Sequence, residues 1–226
     1  MHSLTRLLGR LVRAAVVLAL GYYALCVLGL VYLRFFPPLT TAVQIERRVE
    51  SWFEPGPYHK RMHWQPLADL PPHVPHAVVA AEDSRFFVHH GFDWEEFERA
   101  GEQAQRRGGE RRGASTITQQ LVKNLFLTTS RSVLRKAAEY SLTPVAELIL
   151  PKRRILELYL NVIEWGRGVY GIEAASRYYY AIPATELTRD QAARLAAIIP
   201  APTHRRPERM GDYAQIILDR MATLGW

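Results

Sequence analysis

The sequence predicts a mostly α protein, a helical domain carried behind a single N-terminal transmembrane helix. Three observations lead there. The stretch from Ala14 to Leu33 contains no charged residue. From Pro75 onward, apolar residues recur at helical spacing. No sustained period-2 alternation and no hairpin signal interrupts that pattern. At 226 residues and 48% hydrophobic, the chain is long enough for one sizeable core plus an appendage.

The appendage comes first. At about 1.5 Å per residue, the uncharged run spans roughly 30 Å, the thickness of a bilayer's hydrocarbon. Arg6, Arg10 and Arg13 precede it and only Arg34 follows closely, before Phe35-Phe36-Pro37-Pro38 ends the helix. The basic flank predicts residues 1–13 in the cytoplasm, a transmembrane helix over 14–34, and the remainder on the outer side of the membrane. A cleaved signal peptide is the alternative. The run is longer than the usual apolar core of about 7–15 residues and lacks a small-residue cleavage site, which favours an uncleaved anchor. Cys26, the only cysteine, falls inside the span, so the outer domain has no thiol for a disulfide or a thiolate metal site. Lys+Arg number 29 against 22 Asp+Glu, a net charge of +7. A tethered basic domain is drawn to anionic head groups, phosphates or pyrophosphates. No nucleic-acid module and no aromatics interleaved with the basic stretches point to a nucleic-acid partner.

Residues 35–74 read as a connecting arm, with a turn at Pro55-Gly56-Pro57 and prolines at 66, 71, 72 and 75 that discourage long helices. Residues 75–226 form the body. Its apolar spacing predicts helices over about Ala77–Val88, Asp93–Arg106, Thr116–Leu127, Val133–Leu150, Lys152–Ile163, Gly168–Tyr180, Thr188–Ile199 and Gly211–Leu224. The stretch Arg106–Gly113, rich in arginine and glycine, reads as a mobile basic loop.

Three constellations within the body could carry chemistry. In the first, Glu82 follows Val78 by one helical turn and precedes Phe86 by another, so its carboxylate projects from a largely apolar face. Desolvation raises a carboxyl pKa and makes the carboxylate a better base near neutral pH. Asp83 points roughly 100° further round the helix and is suited to a different job. In the second, Thr116 and Gln119 have capping-box spacing, so a helix begins there with its free amides facing the basic loop. Gln119 and Lys123 are neighbours at i,i+4, as are Gln120 and Asn124, and Arg131 follows shortly after. Amides plus a cation suit a sugar bearing a diphosphate, but the same residues also describe a solvated helix face. In the third, Arg135 and Glu139 stand at i,i+4. Periodicity does not choose between a surface ion pair and a second acidic group across a cleft from Glu82.

Taken together, Glu82-Asp83-x-x-Phe86-x-x-His89-x-Gly91, Gly113-x-Ser115-Thr116-Ile117-Thr118-Gln119-Gln120-Leu121-x-Lys123-Asn124, Arg135-Lys136-x-x-Glu139 and Ile155-Leu156-Glu157-x-Tyr159-Leu160-Asn161 closely resemble the peptidoglycan glycosyltransferase family. The ordered match covers roughly residues 75–205, and the chain's end at Trp226 makes the monofunctional transglycosylases the nearer likeness. The resemblance implies a mostly α, lysozyme-like glycosyltransferase domain with a smaller membrane-proximal jaw, held on the periplasmic face of the plasma (inner) membrane. It implies polymerisation of lipid II into β-1,4-linked glycan, with inversion at the donor anomeric carbon and release of polyprenyl diphosphate. Glu82 matches the family's general base, and Glu139 matches its second glutamate, which assists at the pyrophosphate side directly or through a divalent ion. Lys123 and Arg131 match positions that neutralise the leaving group. Ser115, Gln119, Gln120 and Asn124 match positions that orient sugar and phosphate oxygens. Asp83 and Phe86 belong to the base's motif, with Asp83 an organiser or metal contact and His89 a structural hydrogen-bonding residue. A divalent cation, Mg2+ or Mn2+, on Asp83 and Glu139 is the cofactor implied, with no organic cofactor. The partners implied are lipid II, the growing glycan chain, membrane lipids and the proteins of cell-wall synthesis or division.

The chain departs from the family's pattern at Ala114, where a second glycine is usual, and at Ala138, where many relatives carry lysine. Thr143 and Pro144 are expected to kink the helix after Glu139. Tyr179-Tyr180-Ala181-Ile182 replaces the commoner Tyr-Phe-Gly-Lys. Two other readings compete: a lysozyme-like enzyme that cleaves glycan, which the cation and amide cluster around Lys123 disfavours, and a binding module without catalysis.

Overall fold

The computed structural model describes residues 2–107 and 115–226. It is mostly helical, as the apolar spacing requires. The first helix, α1 (His2–Leu33), contains a stretch, Arg6–Leu33, long and apolar enough to cross a membrane. Its last turns pack against the body. Cys26, Leu30 and Leu33 are buried against the body. Tyr23 donates to the carbonyl of Ser141 at 3.2 Å, and Arg154 Nε donates to that of Leu33 at 2.8 Å.

The arm holds more structure than its prolines suggest. Thr41 caps a short helix, α2 (Ala42–Glu50), by accepting the Gln44 amide. This helix lies on α5 (Ile117–Phe126) and is tied to the body by an Arg47–Glu164 ion pair at 3.1 Å. Glu46 accepts from both the amide and the hydroxyl of Thr129, at 2.8 and 3.0 Å, and so pins the loop that leads to Arg131.

Three short strands form where the sequence carries no sustained strand signal. Met62 and Arg61 form β1 (Arg61–Met62), which pairs in parallel with β3 (Val169–Tyr170), itself antiparallel to β2 (Glu164–Gly166). Strands of two or three residues are too short to show alternation, so period-2 reasoning could not find them. They also take the first residues from the helix expected over Gly168–Tyr180, which begins instead as α8 (Ile172–Tyr180). Gly171 permits this switch: its φ is +83°, and a Cβ there would lie 2.7 Å from the Asn161 carbonyl.

The core has two packed groups. Helix α3 (His73–Glu82) lies against α9 (Arg189–Ile198) and α10 (Gly211–Thr223). Helix α5 lies against α6 (Val133–Ile149) and α7 (Lys152–Val162). Helix α4 (Trp94–Arg107) lies between α3 and α5 in the chain. Helix α6 runs unbroken through Pro144, so the proline costs a backbone hydrogen bond without ending the helix. The basic loop expected at Arg106–Gly113, and Ala114 beside it, fall almost wholly outside the described residues.

Candidate active site

The helix expected over Ala77–Val88 stops at Glu82, because Asp83 leaves helical geometry with φ −161°. The side chain of Asp83 explains the break. It is buried and accepts from His89 Nε2 at 2.9 Å and from the Ile117 amide at 2.9 Å. The Gly91 amide donates to His89 Nδ1 at 3.1 Å, which assigns the ring proton to Nε2, facing Asp83. His89 therefore has the structural role expected of it. Gly91, at φ +94°, also accepts from the Thr116 hydroxyl at 2.7 Å. These bonds turn the chain sharply after Glu82 and fix the base of α5 against it.

Glu82 thus ends α3 beside a cleft of about 570 Å³, whose lining includes Ser115, Arg205, Met210, Tyr213 and Arg220. Its Oε2 accepts from Gln120 Nε2 at 2.8 Å. Among the described residues, Oε1 accepts no hydrogen bond and is the oxygen left to the cleft. Burial pushes the Glu82 pKa up, and Asp83 adds to the rise, while the Gln120 bond, Lys123 and Arg205 oppose it. A carboxylate in this setting is a stronger base than one in water.

Lys123 lies on the same face of α5 as Gln120. Burial lowers its pKa, with Arg135 and Lys136 pushing the same way and Glu139 and Glu82 resisting. Among the described residues its ammonium has no hydrogen-bond partner. An unsatisfied, half-buried cation near a desolvated carboxylate is the arrangement that attracts an anionic group.

Glu139 is buried at 2% exposure and ion-paired to Arg135 and Lys136 on its own helix. Lys136 also reaches Ser115 Oγ at 3.4 Å, bringing that residue into the cluster. Arg131 stands exposed on the loop between α5 and α6.

Besides Asp83 and Gln120, three more of the expected substrate-binding residues are occupied within the protein. Gln119 is buried and completes the capping box by accepting the Thr116 amide at 2.9 Å. Asn124 is buried and donates to the Gln120 carbonyl at 2.8 Å. Phe86 is fully buried, with Lys152 Nζ 4.4 Å from its ring centre. In this structure they are buried and do not line the cleft.

The two carboxylates expected to hold a divalent ion are each bonded within the protein. Both oxygens of Glu139 are taken by Arg135 and Lys136. Among the described residues, Asp83, His89 and Asp93 place metal-type donors within 4.8 Å of one another. Both ring nitrogens of His89 are already bonded, while Asp93 pairs with Arg85 at 3.2 Å and caps the Glu96 amide at 3.0 Å. A hard cation needs several open oxygen ligands, and this donor set does not fit one.

The sequence reading missed Tyr159. Its hydroxyl donates to Gln120 Oε1 at 2.8 Å from a fully buried position on α7. The available signal was a phenol inside the apolar run Ile155-Leu156-Glu157-Leu158-Tyr159-Leu160, because a buried hydroxyl needs a partner. Arg205, Tyr213 and Arg220 lie far along the chain from Glu82 and reach the cleft only through the packing of α9 and α10 on α3.

Over most of its length the chain is similar to proteins that share one name. The protein named biosynthetic peptidoglycan transglycosylase from Chromohalobacter salexigens is 44% identical over 210 residues, covering 91% of this chain and 89% of that protein. Proteins of the same name from Pseudomonas entomophila and Azoarcus sp. are 44% and 43% identical, covering 93% and 98% of this chain and 87% and 97% of their own lengths. A family model described as Transglycosylase matches residues 48–222, a span that holds Glu82, Lys123 and Glu139, and the chain belongs to that family.

Proposed function

We propose that the protein polymerises peptidoglycan glycan at the outer face of the plasma membrane, using lipid II as acceptor and a growing chain on polyprenyl diphosphate as donor. The observation that carries this reading is the pairing of a desolvated glutamate at the cleft with a half-buried cation that has no hydrogen-bond partner among the described residues. The relatives' shared name supplies the class of polymer.

In the reaction, Glu82 Oε1 takes the proton of the acceptor sugar's 4-hydroxyl as that oxygen attacks the donor anomeric carbon from the face opposite the diphosphate. The bond from carbon to diphosphate oxygen breaks, and the configuration inverts. Charge gathering on the leaving diphosphate is met by Lys123, with Arg131 and the Arg135–Lys136 pair as further cations. Ser115, whose hydroxyl lies 3.4 Å from Lys136 Nζ, suits the orientation of sugar and phosphate oxygens, while Gln120 holds Glu82. Glu139 keeps Arg135 and Lys136 in place. Helix α1, with its arginines at the cytoplasmic end, holds the cleft near the lipid carriers of both substrates.

The test is conversion of purified lipid II to polymer by detergent-solubilised protein, wild type beside Glu82→Gln. Wild type is expected to make polymer, and the variant to lose about 10²–10⁴-fold in rate, the usual contribution of a general base. Polymer from both would remove Glu82 as base. Release of fragments from sacculi without polymer from lipid II would turn the reading to glycan cleavage.

A further inference from the structure

Glu82 is held from behind by a two-link chain that starts on another helix. Tyr159 on α7 donates to Gln120 Oε1 at 2.8 Å, and Gln120 Nε2 donates to Glu82 Oε2 at 2.8 Å. We infer that Tyr159 is a positioning residue for the reaction: it fixes the Gln120 amide so that its NH2 end holds one oxygen of Glu82 and leaves the other to the substrate.

An amide has two orientations that fit the same space, and only its surroundings choose between them. Here all three neighbours agree. Gln120 Nε2 also reaches the Ser115 carbonyl at 3.4 Å, so both of its hydrogens have acceptors. A flipped amide would set its oxygen against the Glu82 carboxylate and the Ser115 carbonyl, and would leave the Tyr159 hydroxyl without its acceptor. Tyr159 is fully buried, and the Gln120 oxygen is its one hydrogen-bond partner among the described residues. Burying a hydroxyl is unfavourable unless it is bonded, and phenylalanine would fill the same apolar volume. The hydroxyl is therefore explained by what it does to Gln120.

The consequence lies in which oxygen of Glu82 is reactive. With Oε2 bound to Gln120, the carboxylate cannot rotate freely, and Oε1 keeps one direction toward the cleft. Small errors in the placement of a base are costly in rate, since proton transfer requires hydrogen-bond reach to the attacking hydroxyl. The other charged groups acting on Glu82 are Asp83, Lys123 and Arg205, none of which bonds the Gln120 side chain. They set the field around the carboxylate but do not orient it through this amide.

This inference rests on Glu82 as the base, so Glu82→Gln is measured alongside. The experiment compares wild type, Tyr159→Phe, Gln120→Leu and the double variant for kcat and KM on lipid II. Tyr159→Phe is expected to lower kcat about tenfold with KM within about twofold of wild type, because the lost bond acts on the chemistry and not on binding. In the double variant, the tyrosine change is expected to add less than about twofold to the loss from Gln120→Leu, as coupled residues do. Wild-type kcat in Tyr159→Phe, or losses that multiply in the double variant, would overturn the inference. If Tyr159→Phe alone fails to fold, the double variant, which removes both polar groups together, is compared with Gln120→Leu under the same criterion. Full activity in Glu82→Gln would instead sink the assignment of the base.

Discussion

Asp83 accepts the backbone amide of Ile117 at 2.9 Å, and this contact joins the end of the helix carrying Glu82 to the first turn of the helix carrying Gln120 and Lys123. A carboxylate at a helix N-terminus is favoured by the exposed amides there, and this one also accepts from His89. Asp83 is a brace between the proposed base and the proposed leaving-group cation. Asp83→Asn keeps the size but leaves one of the two donors facing an NH2 group. It is expected to lower stability by roughly 1–3 kcal/mol, the cost of an unsatisfied buried polar group. Thermal unfolding in detergent checks this, and an unchanged midpoint would show that the brace adds nothing.

Glu82→Gln is expected to be more heat-resistant than wild type near neutral pH. Burial raises the folded-state pKa of Glu82 above the ordinary 4.5. A carboxyl shifted upward stabilises the fold only when protonated, so its contribution is present at low pH and lost as pH rises through the folded value. At neutral pH the wild type holds a desolvated charge that the glutamine lacks. The gap should close as pH falls toward 4.5. Unfolding midpoints of both proteins across that range measure it, and a variant less stable at neutral pH would refute the desolvation argument. The same shift places the acid limb of the polymerisation rate above the ordinary glutamate range.

Lys123→Met keeps most of the stem's volume and removes the charge. If Lys123 meets the leaving diphosphate, kcat should fall by about 10²–10³-fold, as when one preorganised stabilising group is lost. Stability should hold or rise, because burial disfavours this cation and the variant has none to bury. Single-turnover rates and unfolding midpoints separate the two effects. An unchanged rate would remove Lys123 from the reaction.

Ala181 ends α8 in the left-handed conformation, at φ +58° and ψ +24°, and is the non-glycine residue with positive φ among those described. Helices commonly end in this way on glycine, because a Cβ there costs roughly 1–2 kcal/mol. Glycine also makes the unfolded chain more flexible, which takes back part of the gain. Ala181→Gly is therefore expected to stabilise by roughly 0.5–1 kcal/mol, read as a rise of about 1–4 °C in Tm. A lower midpoint would show that the alanine methyl contributes packing that outweighs the strain.

Local chemistry carried most of the fold and the proposed base. The uncharged run to Leu33, the apolar stripe Ile117, Leu121 and Leu125, and the Thr116 capping box each depend on residues within a few positions of one another, so periodicity and capping rules reach them directly. The placement of Glu82 after Val78 likewise announced a carboxylate against an apolar surface. Other features needed the packed molecule. Asp83 broke its helix because His89 and Ile117, 34 residues apart from it in the second case, drew its carboxylate away. Gln119 and Asn124, polar at the sequence level, became internal bonds once α5 was buried. Tyr159 met Gln120 across 39 positions, and Arg205 and Arg220 came to the cleft when α9 and α10 packed on α3. Helix periodicity is a property of neighbours along the chain, whereas the orientation of a carboxylate depends on donors supplied by several elements and exists only after those elements have packed.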